Sequence, residues 1–518
     1  MVNLILLSLF AGFLYASGFP LLGTTYYFFP GPILAFYFFG KIIQRNSCLK
    51  KQLIAWAFFS QGFYILGFNW IPYTLYEFGN VDSPLNQLIG FFSFIVLLPP
   101  VLFFIIALKL AKKHLPSDLQ DHLKKPFTLS FLATLFLENL PTQFPAFPGH
   151  SWLLFSPYLG LGTIFGASIF TFFSFFISTQ LIISKININL IKKILFQASL
   201  FLTLNIGISI IQDQQDHKSK NIKVRIVQAN IGNDSKTASE KGDIKSIYQI
   251  FSTYYDLSLK KPRENVDLII WPETAFPYNI NTKSISKNPY NVPNLIDEII
   301  RISGSSLFFG VRDAPEEELL YNAGMLINSD FSFDIYYKNK LLPFGEDLPL
   351  GPLTKMVKPY FPSIAFFNKG DNTTIFRLKN DVTFSSMICY EVLFPSLIFN
   401  QLKNFNVRPS FFINITNDSW YGDTSEPEQH LFLSRWRSIE FGVPLIRSTN
   451  TGISTIILPN GNYKKRIEYG VEGTLDQEIT LKPGFKTIYS LFGRNLFNLS
   501  GAVIILFGHF FRKRKPLF

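Results

Sequence analysis

The sequence predicts an α-helical membrane bundle of about eight transmembrane helices joined to an α/β domain outside the membrane. Three observations lead there. Apolar stretches follow one another from the N-terminus to about residue 211. Basic residues gather in every second loop between them. Beyond residue 212 the pattern changes to short β-type runs, turns and polar helical stretches.

Composition sets the frame. A length of 518 residues accommodates two domain-sized units. Only 16% of residues are charged, 58 are Phe, and the mean hydropathy is +0.21. Average chains carry about a quarter charged residues, so much of this one is not built to meet water. A net charge of +12 could serve nucleic acid. The basic residues, however, form short clusters between apolar runs rather than one stripe, which is how membrane proteins place them. No nucleic-acid partner is expected. The two cysteines, Cys48 and Cys389, exclude a disulfide scaffold and offer no zinc spacing.

The apolar cores lie near residues 4–19, 28–43, 53–70, 88–108, 127–140, 159–183 and 194–211. Most approach the ~20 residues that cross ~30 Å of hydrocarbon. The first lacks a basic leader and a small-residue cleavage site, so it is expected to be a retained span. The fifth is short and carries Glu138. An ionisable residue within a membrane points to function, and a place at the interface is the plain alternative. Gly160-Leu161-Gly162 with Gly166 has no preceding strand, which removes a nucleotide-loop reading.

Charge gives orientation. Lys41, Arg45, Lys50 and Lys51 follow the second span; Lys109, Lys112, Lys113, Lys124 and Lys125 follow the fourth; Lys185, Lys192 and Lys193 follow the sixth. The alternate loops hold almost no basic residues, so the even-numbered loops face the cytoplasm. A polar linker at 212–223 contains Asp213, Asp216, His217, Lys218 and Lys220. The α/β domain occupies 224–486, with strands expected near 224–230, 268–271, 306–311, 383–389 and 411–415. A last span within 487–518 ends in Arg512-Lys513-Arg514-Lys515, a cytoplasmic anchor. Both termini are then inside and the α/β domain outside. Cys48 and Cys389 fall on opposite sides, and a lone thiol in an oxidising compartment needs a reason.

Four segments of the outer domain stand out. Ile270-Trp271-Pro272-Glu273-Thr274 and Met387-Ile388-Cys389-Tyr390-Glu391 each put a reactive side chain at a strand end. Between them runs Tyr337-Lys338-Asn339-Lys340-Leu341-Leu342-Pro343-Phe344-Gly345-Glu346. The fourth is Asn414-Ile415-Thr416-Asn417-Asp418-Ser419-Trp420-Tyr421-Gly422. The order Glu, Lys, Cys in these contexts resembles the nitrilase superfamily. With Gln429-His430 and Ser448-Thr449-Asn450-Thr451-Gly452, the set is similar to the apolipoprotein N-acyltransferase family, along the whole chain. The resemblance implies an αββα sandwich of nitrilase type for the outer domain.

It also implies roles. Cys389 is the nucleophile, Glu273 the proton acceptor and Lys338 the oxyanion stabiliser, with Glu346, Tyr390 and Glu391 in support. The chemistry needs these types: a thiol attacks as thiolate and wants a base beside it. Attack on an ester creates an oxyanion, which a fixed cation and a backbone N–H near Tyr390 would hold. Taken singly, the residues have plain readings. A lone buried Cys is usually a small core hydrophobe, Glu273 could favour a helix N-terminus, and Lys338 with Lys340 could be a solvated pair. The resemblance, not spacing, selects Lys338. One departure stands out: Gln228-Ala229-Asn230-Ile231 is followed by no aromatic residue through Glu240, where the family commonly has one.

The implied activity moves an acyl chain from a phospholipid, phosphatidylethanolamine by resemblance, through a Cys389 thioester. The chain goes to the α-amine of a diacylglyceryl-modified apolipoprotein, at a bacterial inner membrane with the catalytic domain periplasmic. No cofactor and no metal are implied. A membrane-tethered amidase would use the same trio but has little use for eight spans. A transporter would need an ordered set of intramembrane polar residues, for which Pro99-Pro100 and Glu138 are the hints.

Overall fold

The computed structural model describes all residues except 22, 78, 80, 215–218, 261–265, 289, 290, 344, 349, 350, 361–364, 372, 483, 485 and 514–518. Asp216, His217 and Lys218 of the linker, Phe344, and Arg514 and Lys515 of the tail thus lie outside the described residues.

The N-terminal region is helical. Val2–Ala16, Gly31–Arg45, Leu49–Gly67, Pro126–Asn139 and Ile188–Asp213 fall on expected apolar runs. Two runs are broken. The fourth divides into Leu85–Phe92, Phe94–Leu97 and Pro99–His114, where paired prolines end one helix and start the next. The sixth is not continuous either: Gly166 at φ 68° separates Gly162–Phe165 from Ser168–Ile183. Among the described residues one helix, Ile188–Asp213, is alone long and apolar enough to cross a bilayer. Leu85–Leu97 and Pro99–His114 pass together but bend by 44°. Val2–Ala16 meets Leu49–Gly67 backbone to backbone. A Cβ on Gly12 would lie 2.1 Å from Phe59 O, and one on Gly62 2.3 Å from Leu9 O. Small residues permit such contacts where lipid supplies no hydrophobic drive between helices.

Among the described residues the α/β domain has thirteen strands: β1 Lys220–Gln228, β2 Leu268–Ile270, β3 Asn279–Ile280, β4 Ser306–Glu316, β5 Leu319–Ile327, β6 Phe333–Tyr337, β7 Phe376–Arg377, β8 Thr383–Ile388, β9 Phe411–Thr416, β10 Leu445–Thr449, β11 Ser454–Ile457, β12 Tyr463–Ile467 and β13 Gly473–Leu481. One sheet runs β13-β1-β2-β4-β5-β6 with β3 on β4; the other runs β12-β11-β10-β9-β8-β7. Their centres are parallel, β1-β2-β4 and β8-β9-β10.

Side-chain alternation decides what each face meets. In β4, Leu307, Phe309 and Val311 pack outward with Tyr254 and Ile250 of helix Ile244–Leu259 and Ile296 of helix Asn294–Ser303. Phe308 turns inward onto Phe376 and Phe384 of the second sheet, centroids 5.1 and 5.3 Å away. The helix Glu426–Phe441 covers the second sheet, Phe441 meeting Phe412 of β9 at 5.7 Å.

That helix is also the joint to the N-terminal helices. All its residues except Arg435 are buried. Trp436 lies 5.2 Å from Phe170, and Phe432 lies 4.9 Å from Tyr27. Gln429 Nε2 donates to Pro20 O at 2.9 Å and Gly67 O at 2.8 Å, while its Oε1 accepts from Trp70 Nε1 at 3.2 Å. The α/β domain is therefore fastened to the helical region through this helix.

Candidate active site

β2 ends at Ile270, and the chain then turns sharply. Trp271 locks the turn by stacking on Tyr254 at 4.6 Å and donating Nε1 to Ser258 Oγ at 2.8 Å. Gly310 of β4 lets it lie close, because a Cβ there would come 2.4 Å from Pro272 O. The next residues are Glu273, 6% exposed, and Thr274 in the left-handed region at φ 47°. Lys236, buried on helix Asn233–Glu240, donates Nζ to Thr274 Oγ1 at 3.2 Å and to Glu273 O at 3.5 Å. Burial brings its ammonium down to about 8.

Lys338 leaves the end of β6, its N–H held by Asn322 O at 2.9 Å. Its Nζ lies 3.1 Å from Glu273 Oε1 and 2.8 Å from Glu346 Oε1. Asn322 Nδ2 donates to the same two oxygens, at 2.7 and 2.8 Å. Glu273 Oε2 accepts from Asn417 N–H at 3.0 Å, and Glu346 Oε2 from Leu342 N–H at 2.8 Å. Burial alone favours a neutral amine, but Glu273 and Glu346 outweigh it and hold Lys338 charged well above the usual lysine range. Lys340 goes elsewhere, over the Phe394 ring at 4.2 Å.

Cys389 follows β8 and opens the short turn Cys389–Leu393 at φ 54°. A non-glycine residue there carries strain of about 1–3 kcal/mol, an arrangement that clusters at active sites. It is 6% exposed. Burial pushes its thiol well up and Glu273 adds to the rise, while Lys338 opposes it. The sulfur is thus held as a neutral thiol, and a nucleophile in that state needs a base at the moment of attack.

Glu391 does not face the cluster of Lys338; it clamps the strand ends. Its carboxylate accepts from Asn339 N–H at 2.7 Å, Lys340 N–H at 2.8 Å, Ile388 N–H at 2.8 Å and Tyr336 Oη at 3.0 Å. The lysine loop and the cysteine turn are joined through it. Tyr390 packs edge-on to Phe394, centroids 5.0 Å apart.

A second buried group lies behind the cysteine. Asp418, Glu426 and His430 have ligand-type atoms within 4.8 Å of one another, the one such trio among the described residues that could hold a metal ion. A cation is already at hand, since Arg447 Nη2 lies 2.7 Å from Asp418 Oδ2. Burial would raise Asp418, but Arg447 overcomes it and holds the carboxyl near 2. Burial, with Arg447, brings His430 down to about 4. A neutral imidazole beside a compensated carboxylate needs no metal for charge balance.

Glu273, Lys338 and Glu346 are therefore in direct contact, with Cys389 under the charge of all three. Asn322, Lys236 and Arg447 were not singled out by the motifs. A weak signal existed for Asn322, a polar residue in a mostly apolar strand where Asn is depleted, and for Arg447, the one charged residue of its strand.

A carbon–nitrogen hydrolase family model matches residues 223–483. The apolipoprotein N-acyltransferase of Pasteurella multocida is 28% identical over 505 residues, covering 92% of this chain and 91% of that protein. That of Rickettsia typhi is 31% identical over 368 residues, covering 70% and 69%. Among solved structures, a CN-hydrolase superfamily protein of Xanthomonas campestris aligns at 17% identity and a TM-score of 0.36, covering 50% of this chain and 91% of that one. With a site of this make-up in a domain of this kind, the chain belongs to the apolipoprotein N-acyltransferase family, within the carbon–nitrogen hydrolases.

Proposed function

We propose that the protein transfers an acyl chain from a membrane phospholipid to the α-amine of a diacylglyceryl-cysteine at the N-terminus of lipoproteins. The observation that carries this reading is a buried, strained thiol under the influence of a carboxylate–lysine–carboxylate cluster, in a domain fastened to apolar helices.

Glu273 takes the thiol proton as the Cys389 sulfur attacks the ester carbonyl. Lys338 and a backbone N–H near Tyr390 hold the oxyanion. The carbonyl–oxygen bond then breaks, Glu273 returns the proton to the departing oxygen, and a lysophospholipid leaves behind the acyl-thioester. The lipoprotein amine attacks the thioester carbonyl, Glu273 accepts the amine proton, the carbon–sulfur bond breaks, and the proton ends on sulfur. The product is an amide, and the kinetics are ping-pong. Glu346 holds Lys338 in register throughout. Phosphatidylethanolamine is the donor this reading favours.

The same proposal covers placement: eight spans, both termini cytoplasmic, domain borders at 211, 223 and 486, and the catalytic domain in the periplasm. Support comes from the many apolar side chains exposed on the helices, among them Phe10, Phe103, Phe196, Leu204, Ile504 and Phe507. Such a surface needs lipid to cover it.

A cell-based test is direct. Replacing the native gene with Cys389→Ala is expected to leave lipoproteins with a free N-terminal amine. Normal N-acylation in that strain would overturn the reading.

A further inference from the structure

The nucleophile and the base come from different sheets, so something must fix one relative to the other. A chain of buried contacts does so. Asn414 of β9 donates Nδ2 to Cys389 O at 3.0 Å and to Met387 O at 3.2 Å, holding the strained cysteine turn. Three residues on, Asn417 N–H holds Glu273 Oε2 at 3.0 Å. The path between these two anchors is gripped by one side chain. Arg447 of β10 lies opposite Asn414 in the parallel register. Its Nη1 donates to Asn414 Oδ1 at 2.7 Å and its Nη2 to Asp418 Oδ2 at 2.7 Å. Arg447, Asn414 and Asp418 are all fully buried. Gly452 closes the far side of Asp418, where a Cβ would come 2.1 Å from Oδ2.

We infer that Arg447 is a positioning residue for the reaction: one guanidinium sets both the cysteine turn, through Asn414, and the general base, through the Asp418 turn that presents Asn417 N–H. A planar fork suits this, since two rigid donors fix two acceptors at once and an ammonium cannot. A buried ion pair is weak support for stability, which apolar residues of equal volume supply as well. Orientation accounts for its place.

The inference rests on the acyl-transfer reading and separates into two arms. Glu273 is faced by Lys338 and Asn322 on one oxygen and by Asn417 N–H on the other; Glu346, Cys389, Lys236 and Tyr421 are further titratable neighbours. Losing Arg447 loosens both the Asn417 N–H that holds Glu273 and, through Asn414, the cysteine turn. Losing Asn414 disturbs only the cysteine arm.

The test is single-turnover thioester formation by the full-length protein in detergent, using phosphatidylethanolamine with a radiolabelled acyl chain. Arg447→Lys is expected to lower the rate constant by about 100-fold and leave the donor KM within about twofold. Asn414→Ala, which keeps every charge paired, is expected to slow the step by less than Arg447→Lys does, again with the donor KM within about twofold. Wild-type rates in either variant, or a rise in donor KM as large as the fall in rate, overturn the inference. If Arg447→Lys does not fold, Asn414→Ala alone decides. Failure of the wild type to form any thioester would instead sink the functional reading.

Discussion

At Cys389 the electrostatics make opposite predictions for its two charged neighbours. Glu273 raises the thiol and Lys338 lowers it, both on top of burial. Glu273→Gln therefore lets the thiolate form at lower pH, so the iodoacetamide alkylation profile of Cys389 moves down. Acyl transfer nevertheless falls by about 10²–10⁴, because the base is gone. Lys338→Met moves the alkylation profile up and costs about 2.7–4 kcal/mol of barrier. Profiles moving together, or a Glu273→Gln variant that keeps its transfer rate, would contradict the assignment. Lys338→Met also leaves Glu273 and Glu346 side by side in the interior without their cation. That loss is expected to destabilise the fold by about 3–5 kcal/mol, read as a lowered denaturation midpoint.

The strand ends and their clamps form the next level. Glu391 ties the lysine loop to the cysteine turn through three N–H donors and Tyr336. In Glu391→Gln one acceptor oxygen becomes a donor NH2, leaving at least one buried N–H without a partner at about 1–3 kcal/mol. Hydrogen exchange should then speed up at residues 338–341 and 388 while the far strands β11 and β12 are unchanged. Uniform acceleration would mean that Glu391 supports the whole fold rather than this clamp. Glu273 and Cys389 stood out in the chain because each follows an apolar strand, whereas Lys338 was singled out only through the resemblance of the string around it. Asn322 and Arg447 gave only a weak signal, because their partners, Glu273 and Glu346 for one and Asn414 and Asp418 for the other, come from distant parts of the chain that no local pattern connects. The break at Gly166 was hidden for a related reason: apolarity alone does not reveal a left-handed residue inside a run.

For the whole molecule, a helical region followed by an α/β domain was readable from the change in hydrophobic period near residue 212, and the sandwich form of that domain only through the family resemblance. The strand order and the burial of helix Glu426–Phe441 between sheet and bundle were not. That helix carries Glu428, Arg437 and Glu440 on buried positions, so its composition does not mark it as interior. Its pairing with helical segments some 250 or more residues earlier is long-range in origin, as with Trp436 Nε1 on His150 O at 3.3 Å. The proposed topology makes its own prediction through Cys48, an exposed thiol. In a Cys389→Ala chain it should react with a membrane-impermeant maleimide only after the inner membrane is opened. Labelling in intact spheroplasts would reverse the orientation.

The central claim is that Cys389 carries the acyl chain. Incubating the purified full-length protein with acyl-labelled phosphatidylethanolamine, quenching in acid and mapping peptides by mass spectrometry tests it most directly. The account predicts the acyl mass on the peptide containing Cys389, removable by neutral hydroxylamine and absent in Glu273→Gln. An unmodified Cys389 peptide in protein that still transfers the acyl chain would contradict it.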